Sequence, residues 1–458
     1  MLERKFTTEL RTFLKTNTKK IMLINGARQI GKSYLIRYVG TQLFTHFIEI
    51  DLREDKEGPK VFANVRSTED FYLQLGIIAG GQLGDRSDTL VFLDEIQSYP
   101  HLLTMLKFLN KEGRYRYIAS GSQLGIALTK STSVPMGSVD IRQMFPLDFE
   151  EFLWAMGVGK EAIQTMQKAF EARQSLNEST HDYILKLFRY YLLVGGLPDA
   201  VNQFLADRNM VAIRKIQADT HELYSIDASQ YDEENRLKIR KVYDFIPSAL
   251  ENKKKRIIVK NIENKEGKQY SDYENEFEYL IESAIALDVN AISNPRFPLA
   301  ESVVKNLLKL YLNDVGILTQ ILYSYNINAI LNDERSINLG TVYESVVAQE
   351  LRAHGYKKLY YYDNKHHGEV DFLIDDFDTL SALPLEVKSG KDYYVHSALT
   401  HFVKTPDYHI PQGVVLSNER EVTLKGKIIY MPIYYVMFFH RTTKDEVILP
   451  PLEMPSEA

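Results

Sequence analysis

The sequence predicts a multidomain α/β protein: an N-terminal parallel sheet covered by helices, a helical middle region, and a second α/β unit near the C-terminus. Three observations predict it. Up to about residue 150, short apolar runs alternate with helical patterns. From Pro146 helical patterns dominate, and after a turn at Ser336–Gly340 strands return. At 458 residues the chain exceeds the size at which one hydrophobic core stops growing, so several units are expected.

Taken in order, Lys20–Asn25 reads as a strand, Tyr34–Val39 as a helix, and Phe47–Asp51, Thr89–Leu93 and Arg116–Ala119 as further strands. Helices lie between them around Asp70–Leu75 and His101–Asn110. Asp148 caps a helix whose N3 residue is Glu151, ahead of Phe152, Leu153 and Trp154. The polar stretch Ser225–Glu234 reads as a surface linker. Beyond it, Lys241–Leu250, Tyr273–Leu287 and Val303–Leu312 read as short helices and Ile317–Leu322 as a strand, which suits a small helix-turn-helix or winged-helix module. In the last unit Tyr343–Ala353 is a helix, Leu359–Tyr362, Glu369–Ile374 and Leu385–Lys388 are strands, and Tyr430–Phe439 is a buried strand. The expected units are 1–155, 156–230, 231–335 and 336–445, with 446–458 a loose tail.

The segment Gly26-Ala27-Arg28-Gln29-Ile30-Gly31-Lys32-Ser33 joins the first strand to the first helix. In such a turn the backbone amides converge on phosphates, Lys32 neutralises the β and γ groups, and Ser33 ligates Mg²⁺. The strand Thr89–Leu93 then delivers Asp94 and Glu95 at its C-terminal end. Asp94 is placed to hold Mg²⁺ through water, and Glu95 to orient or deprotonate the water that attacks the γ-phosphate. Two motifs in this order and spacing imply an ATP site. Hydroxyls at Ser120 or Ser122, at the end of a third strand, either sense the γ-phosphate or fix the attacking water, or serve as turn or cap residues.

These residues, with Phe145–Phe152, Tyr191–Pro198, Lys309–Gly316 and Leu385–Gly390, resemble bacterial and archaeal AAA-type ATPases that carry a C-terminal DUF4143-like domain. The resemblance extends over nearly the whole chain. It implies a P-loop NTPase domain at 1–155, a helical lid, a winged-helix-like module, and a C-terminal unit like the restriction-endonuclease, PD-(D/E)xK fold. Similar family members have Gly-Arg ahead of the Pro-Leu block, where this chain has Gly137-Ser138. Arg142 stands nearby as a substitute or as a plain salt-bridge partner. A neighbouring subunit of a homo-oligomer is the other way to complete the site.

In the C-terminal unit, strand alternation places Glu386 and Lys388 on one face. With Asp371 on the neighbouring strand, the two carboxylates would share Mg²⁺ and Lys388 would activate water for phosphodiester attack, as in the PD-(D/E)xK core. Helical spacing turns Glu344 towards the packed side, where it would join the metal site, and leaves Glu350 facing solvent. His366 and His367 point to opposite faces of a strand and read as surface or phosphate-contacting residues.

A net charge of −6 excludes a wholly basic surface and leaves a local one, of which Asn252–Ile257 with Lys260 and Lys265 is the densest; it neutralises phosphate or is a solvated loop. The chain has no cysteine, which excludes disulfides and thiolate chemistry, and no apolar stretch of membrane-spanning length, so it reads as soluble and cytoplasmic. The sequence therefore predicts an ATP-hydrolysing protein whose nucleotide state controls a DNA-facing, nuclease-like C-terminal domain. The alternative is a signalling or scaffold ATPase whose C-terminal domain binds protein or nucleic acid without cutting it.

Overall fold

The computed structural model describes residues 2–16, 18–122, 124, 125, 127, 137–230, 236–332, 337, 339–366, 368–389 and 394–441. His367, Gly390 and the expected tail lie outside them.

The N-terminal unit comprises α1 (Lys5–Lys15), β1 (Ile21–Asn25), α2 (Lys32–Leu43), β2 (His46–Asp51), α3 (Thr68–Ala79), β3 (Thr89–Asp94), α4 (Pro100–Glu112), β4 (Arg116–Gly121) and β5 (Val139–Gln143). The five strands are all parallel, in the order β2-β3-β4-β1-β5. Every residue of β1 and β3 is buried, as continuous apolar runs in a sheet covered on both faces require. The turn after β1 thus leaves from the sheet interior, at the strands' C-terminal ends, where open α/β sheets bind ligands.

The middle region is helical: α5 (Phe149–Ala155), α6 (Lys160–Glu171), α7 (Glu178–Val194), α8 (Pro198–Asp207), α9 (Met210–Gln230) and α10 (Arg236–Leu250). Asp148 and Glu151 form the expected capping box at the start of α5. The expected linker at Ser225 is instead the end of α9, and Ser225 and Asp227 are buried.

After α11 (Glu274–Glu282) come β6 (Ala286–Ile292), β7 (Val303–Leu312), α12 (Val315–Tyr323), α13 (Leu339–Ala353), β8 (Leu359–Asn364), β9 (Gly368–Asp376), β10 (Ser381–Val387), α14 (Ser397–Lys404), β11 (Gly413–Ser417), β12 (Thr423–Lys425) and β13 (Ile428–Pro432). The strands form one sheet, β12-β13-β11-β10-β9-β8-β6-β7. The β6–β7 hairpin pairs with β8, so the expected boundary at residue 335 falls inside a continuous sheet.

Four element readings change. Val303–Leu312 is a strand: its apolar residues are compatible with either period, and pairing with β6 decides it. Ile317–Leu322 is helical because the Asp314 side chain accepts the Ile317 N–H and starts α12. Tyr273–Leu287 divides, with a helix to Glu282, a left-handed Ala284 at φ 58°, then β6. The strand expected through Tyr430–Phe439 ends at Pro432, and Ile433–Phe438 continues as a buried 3₁₀ helix.

One face of the N-terminal sheet, the middle helices and one face of the C-terminal sheet share a single apolar core. The other face of the N-terminal sheet closes over its own core. Among the described residues no helix is long and apolar enough to cross a membrane.

Candidate functional site

At the N-terminal site, Gly31 adopts φ 91°, a left-handed conformation that favours glycine, and α2 starts at Lys32. A Cβ on Gly26 would lie 2.5 Å from the Met144 carbonyl oxygen, so only glycine fits there. Ala27 and Ile30 anchor the turn in the core. Lys32 Nζ donates to the carbonyls of Gly26 at 2.9 Å and Ala27 at 2.7 Å, which curls the side chain over its own loop. Burial brings the Lys32 ammonium down to about 8, against the pull of Glu95 and Asp94.

Ser33 Oγ lies 2.5 Å from Asp94 Oδ2, and Ser120 Oγ donates to Asp94 Oδ1. Hydroxyl and carboxylate oxygens are the donors Mg²⁺ takes, so Ser33 and Asp94 fit the ion, which would neutralise phosphate charge between them. Glu95 follows in a left-handed conformation, φ 51°, and its carboxylate accepts from Gln97 Nε2 at 2.5 Å. Ser122 Oγ stands 3.5 Å from the same carboxylate. The fold thus brings together Lys32, Ser33, Asp94, Glu95, Ser120 and Ser122.

Sequence reasoning missed the contribution of α9. Tyr224 donates its hydroxyl proton to the Arg28 carbonyl at 2.7 Å, Thr220 Oγ1 bonds Gln29 Oε1 at 3.0 Å, and Asp227 pairs with the Arg28 guanidinium at 3.0 Å. A cavity of about 460 Å³ opens beside Gly31, lined by Gln29, Tyr34, Leu35, Leu147, Pro198 and Asn202 among others. The Pro198 that starts α8 was visible in the sequence only as part of the family-like block. Arg142 lies on β5 and is paired with Glu9 at 3.1 Å and Asp140 at 3.0 Å, as a plain salt bridge.

In the C-terminal sheet, β9 and β10 are antiparallel neighbours, and Asp371 Oδ2 accepts the Val387 N–H at 2.8 Å. Glu386 and Lys388 share a face as expected, 2.7 Å apart. Glu344 is buried, and its carboxylate is bound by Lys255 and by the Tyr311 hydroxyl at 3.1 Å. Lys309, fully buried, bonds Glu369 at 2.5 Å and lies 4.0 Å from Glu344. Asp371, Glu386, Glu344, Lys255 and Lys388 line one cleft of about 600 Å³ with Lys253, Lys254 and Glu369.

Burial, with Glu386 and Glu344 close by, holds the Asp371 carboxyl well above the usual range. Burial also opposes ionisation of Glu344, but Lys255 and Lys309 outweigh it and hold this carboxyl below the usual range. Among the described residues no group of three or more histidine, aspartate or glutamate side chains is placed to hold a metal. The fold brings the expected set of Glu344, Asp371 and Glu386 to one cleft, with Lys255 on Glu344 and Lys388 on Glu386, while Asp371 meets the Val387 N–H instead of an ammonium group. Lys309 and Tyr311 escaped notice because their segment read as a helix; alternation along a strand puts both on one face.

Glu350 is a further correction. It is buried, not solvent-facing, and its Oε1 accepts from the Phe149 N–H and lies 3.1 Å from the Tyr191 hydroxyl. His366 is exposed.

Three family models match the chain: an AAA domain at residues 18–153, the domain of unknown function DUF8612 at 185–326, and DUF4143 at 339–436. The second crosses the expected boundary at residue 230. No curated protein matches. Among solved structures, the Walker-type ATPase PABY2304 of Pyrococcus abyssi is similar at 15% identity and TM-score 0.42, over 72% of this chain and 96% of that one. The Thermotoga maritima RuvB Holliday junction branch migration motor is similar at 15% identity and TM-score 0.30, over 65% and 90%. AMPPCP-bound DnaA from Aquifex aeolicus is similar at 11% identity and TM-score 0.28, over 53% and 78%. The phosphate-loop geometry and the two matched domains together show an AAA-type P-loop domain followed by a C-terminal DUF4143 domain.

Proposed function

We propose that this protein binds and hydrolyses ATP with Mg²⁺ at the N-terminal loop and that its nucleotide state controls the C-terminal cleft, which faces DNA. The observation that carries the first half is the meeting of Lys32, Ser33, Asp94 and Glu95 at the C-terminal ends of β1 and β3. Lys32 holds the phosphate charge, Ser33 and Asp94 hold the ion, and Glu95 orients the attacking water. The cavity beside Gly31 is large enough to take a nucleoside. Lys253 and Lys254 in the cleft lining support a phosphate-bearing partner.

The order of α13, the antiparallel strands β8, β9 and β10, α14 and the parallel strand β11 supports the nuclease-like reading of residues 336–445. The helices α10 and α11, the short helix Val259–Glu263 between them and the β6–β7 hairpin support a winged-helix-like module. The ammonium-paired carboxylates favour the second reading of the cleft: it binds nucleic acid or protein without cutting. The cysteine-free composition accords with a cytoplasmic setting, and a homo-oligomer is the proposed assembly should a neighbour complete the nucleotide site.

Phosphate release tests the first half. Lys32→Ala is expected to abolish nucleotide binding, and Glu95→Gln to keep binding and stop hydrolysis; unchanged release in both refutes it. DNA and RNA incubated with Mg²⁺ or Mn²⁺, with and without ATP, test the second. Cleavage by the wild type that is lost in Asp371→Ala and Lys388→Ala establishes a nuclease, whereas intact substrates that shift in a gel only with one nucleotide state establish binding without cutting.

A further inference from the structure

Arg28 is a cation on the phosphate-binding turn that the functions assigned above leave unused. Its side chain is mostly buried, and it runs along the catalytic end of the sheet. One guanidinium nitrogen lies 3.0 Å from Asp227 Oδ1 on α9 and 3.8 Å from Glu95 Oε2, and Nε lies 3.4 Å from Ser122 Oγ. Gln97 joins the same set, donating to Glu95 at 2.5 Å and standing 3.3 Å from Ser122. The fork of Arg28 therefore spans the carboxylate that would activate water, the hydroxyl beside it, and an acid supplied by a different region of the chain.

A guanidinium is planar, permanently charged and presents several donors at once, which suits it to phosphate as well as carboxylate. Arg28 sits only four residues from Lys32 on a turn whose amides face the phosphates. A γ-phosphate seated there brings more negative charge than Asp227 alone. It would compete for the same donors.

We propose that Arg28 supplies in cis the arginine that acts on the terminal phosphate, and that Asp227 is the positioning residue that withholds it. Asp227 keeps Arg28 against Glu95, and the carboxylate is occupied by a cation. When ATP binds, Arg28 turns to the γ-phosphate and leaves Glu95 free to orient water. The water oxygen then bonds to the γ-phosphorus, the bond to the β-phosphate oxygen breaks with its electron pair leaving on ADP, and the water proton passes to Glu95. Because Asp227 stands on α9, any partner that shifts α9 sets how easily Arg28 leaves it. α9 packs against α10 and α12, and α10 against β7, so the C-terminal sheet lies one helix away.

This inference rests on the ATPase reading, and steady-state phosphate release by the full chain, with affinities for ADP and a non-hydrolysable ATP analogue, separates the two. Arg28→Gln is expected to lower kcat about 100-fold or more, to keep ADP affinity within about threefold and to erase the preference for the ATP analogue over ADP. Arg28→Lys, which keeps charge and loses the fork, falls between. Asp227→Asn is expected to raise kcat several-fold. The proposal is overturned if Arg28→Gln retains kcat, if it loses ADP affinity as fully as ATP-analogue affinity, or if Asp227→Asn slows turnover in step with it. No turnover in the wild type instead refutes the ATPase reading, while the analogue-over-ADP preference in Arg28→Gln still decides whether Arg28 reaches the γ-phosphate.

Discussion

The backbone N–H of Phe149 donates to Glu350 Oε1 at 2.9 Å, joining the first turn of α5 to the last turn of α13 across 201 residues of sequence. Tyr191 adds its hydroxyl 3.1 Å from the same oxygen and receives Gln349 Nε2 at 2.8 Å, while Gln349 Oε1 accepts the Val315 N–H. The ATPase unit, the middle helices and the DUF4143 domain are thus tied by one buried polar network.

That network gives the first prediction. Burial and Asp148 hold the Glu350 carboxyl well above its usual range, so the neutral amide of Glu350→Gln replaces it at little cost. Glu350→Ala strands the Phe149 N–H in the core and is expected to cost about 2–4 kcal/mol. Denaturant midpoints with the slope checked separate the two; equal losses would show that the oxygen is not what matters.

Lys32 gives the second, in pH. Its folded-state value of about 8 means that nucleotide-free protein loses the Lys32 proton as pH rises through that value, whereas bound phosphates hold it on. ATP affinity is expected to be flat below about pH 7 and to fall above about pH 8, by up to tenfold per unit, with proton uptake on binding. Calorimetry in buffers of differing ionisation enthalpy measures that uptake, and Lys32→Arg is expected to abolish it.

Asp314 gives the third. Fully buried, it accepts the Gly196 N–H at 2.6 Å and caps α12, and burial pushes its carboxyl up to about 6. An acid with a raised folded value contributes stability that is present below its unfolded value, near 4, and is lost as pH rises to about 6. Asp314→Asn is expected to flatten that part of the stability–pH curve. Asp314→Ala, which leaves both N–H groups unpaired, is expected to cost about 2–4 kcal/mol at low pH, where the wild type keeps the full contribution of this carboxyl.

The fourth concerns the C-terminal cleft. If Lys255 is the built-in counter-ion of Glu344, Lys255→Ala leaves a buried carboxylate without its nearest cation. The variant is expected to melt lower than the wild type and to be raised again by millimolar Mg²⁺ or Mn²⁺, which leave the wild-type Tm unchanged. A wild-type Tm that rises equally with metal would show that the lysines yield to it.

What the sequence made legible follows a pattern. The loop from Gly26 to Ser33 and the pair Asp94-Glu95 are local signals whose geometry is set by one strand and one turn, so both were read. Glu386 and Lys388 were read together because strand alternation fixes their common face, and Asp371 joined them through the expected pairing of neighbouring strands. Lys309 and Glu350 were not, since their burial depends on which distant strand or helix covers them, and no local period carries that. The end of α9 reads as polar because Asp227 and Ser225 are polar; the arginine that Asp227 meets lies nearly 200 residues away in sequence.

The hairpin β6–β7 lies upstream of the DUF4143 match yet supplies two strands of its sheet, with Lys309 reaching Glu369 from β7. A fragment beginning at α13 would expose the bare edge of β8 and leave Glu369 without that lysine, an invitation to self-association. In recombination between relatives, a crossover just before residue 339 would therefore cut through a hydrogen-bonded ladder rather than between modules. The heritable cassette is the stretch that starts ahead of β6, and its exchange carries with it the strand that packs against α10, the neighbour of the helix that meets the nucleotide loop.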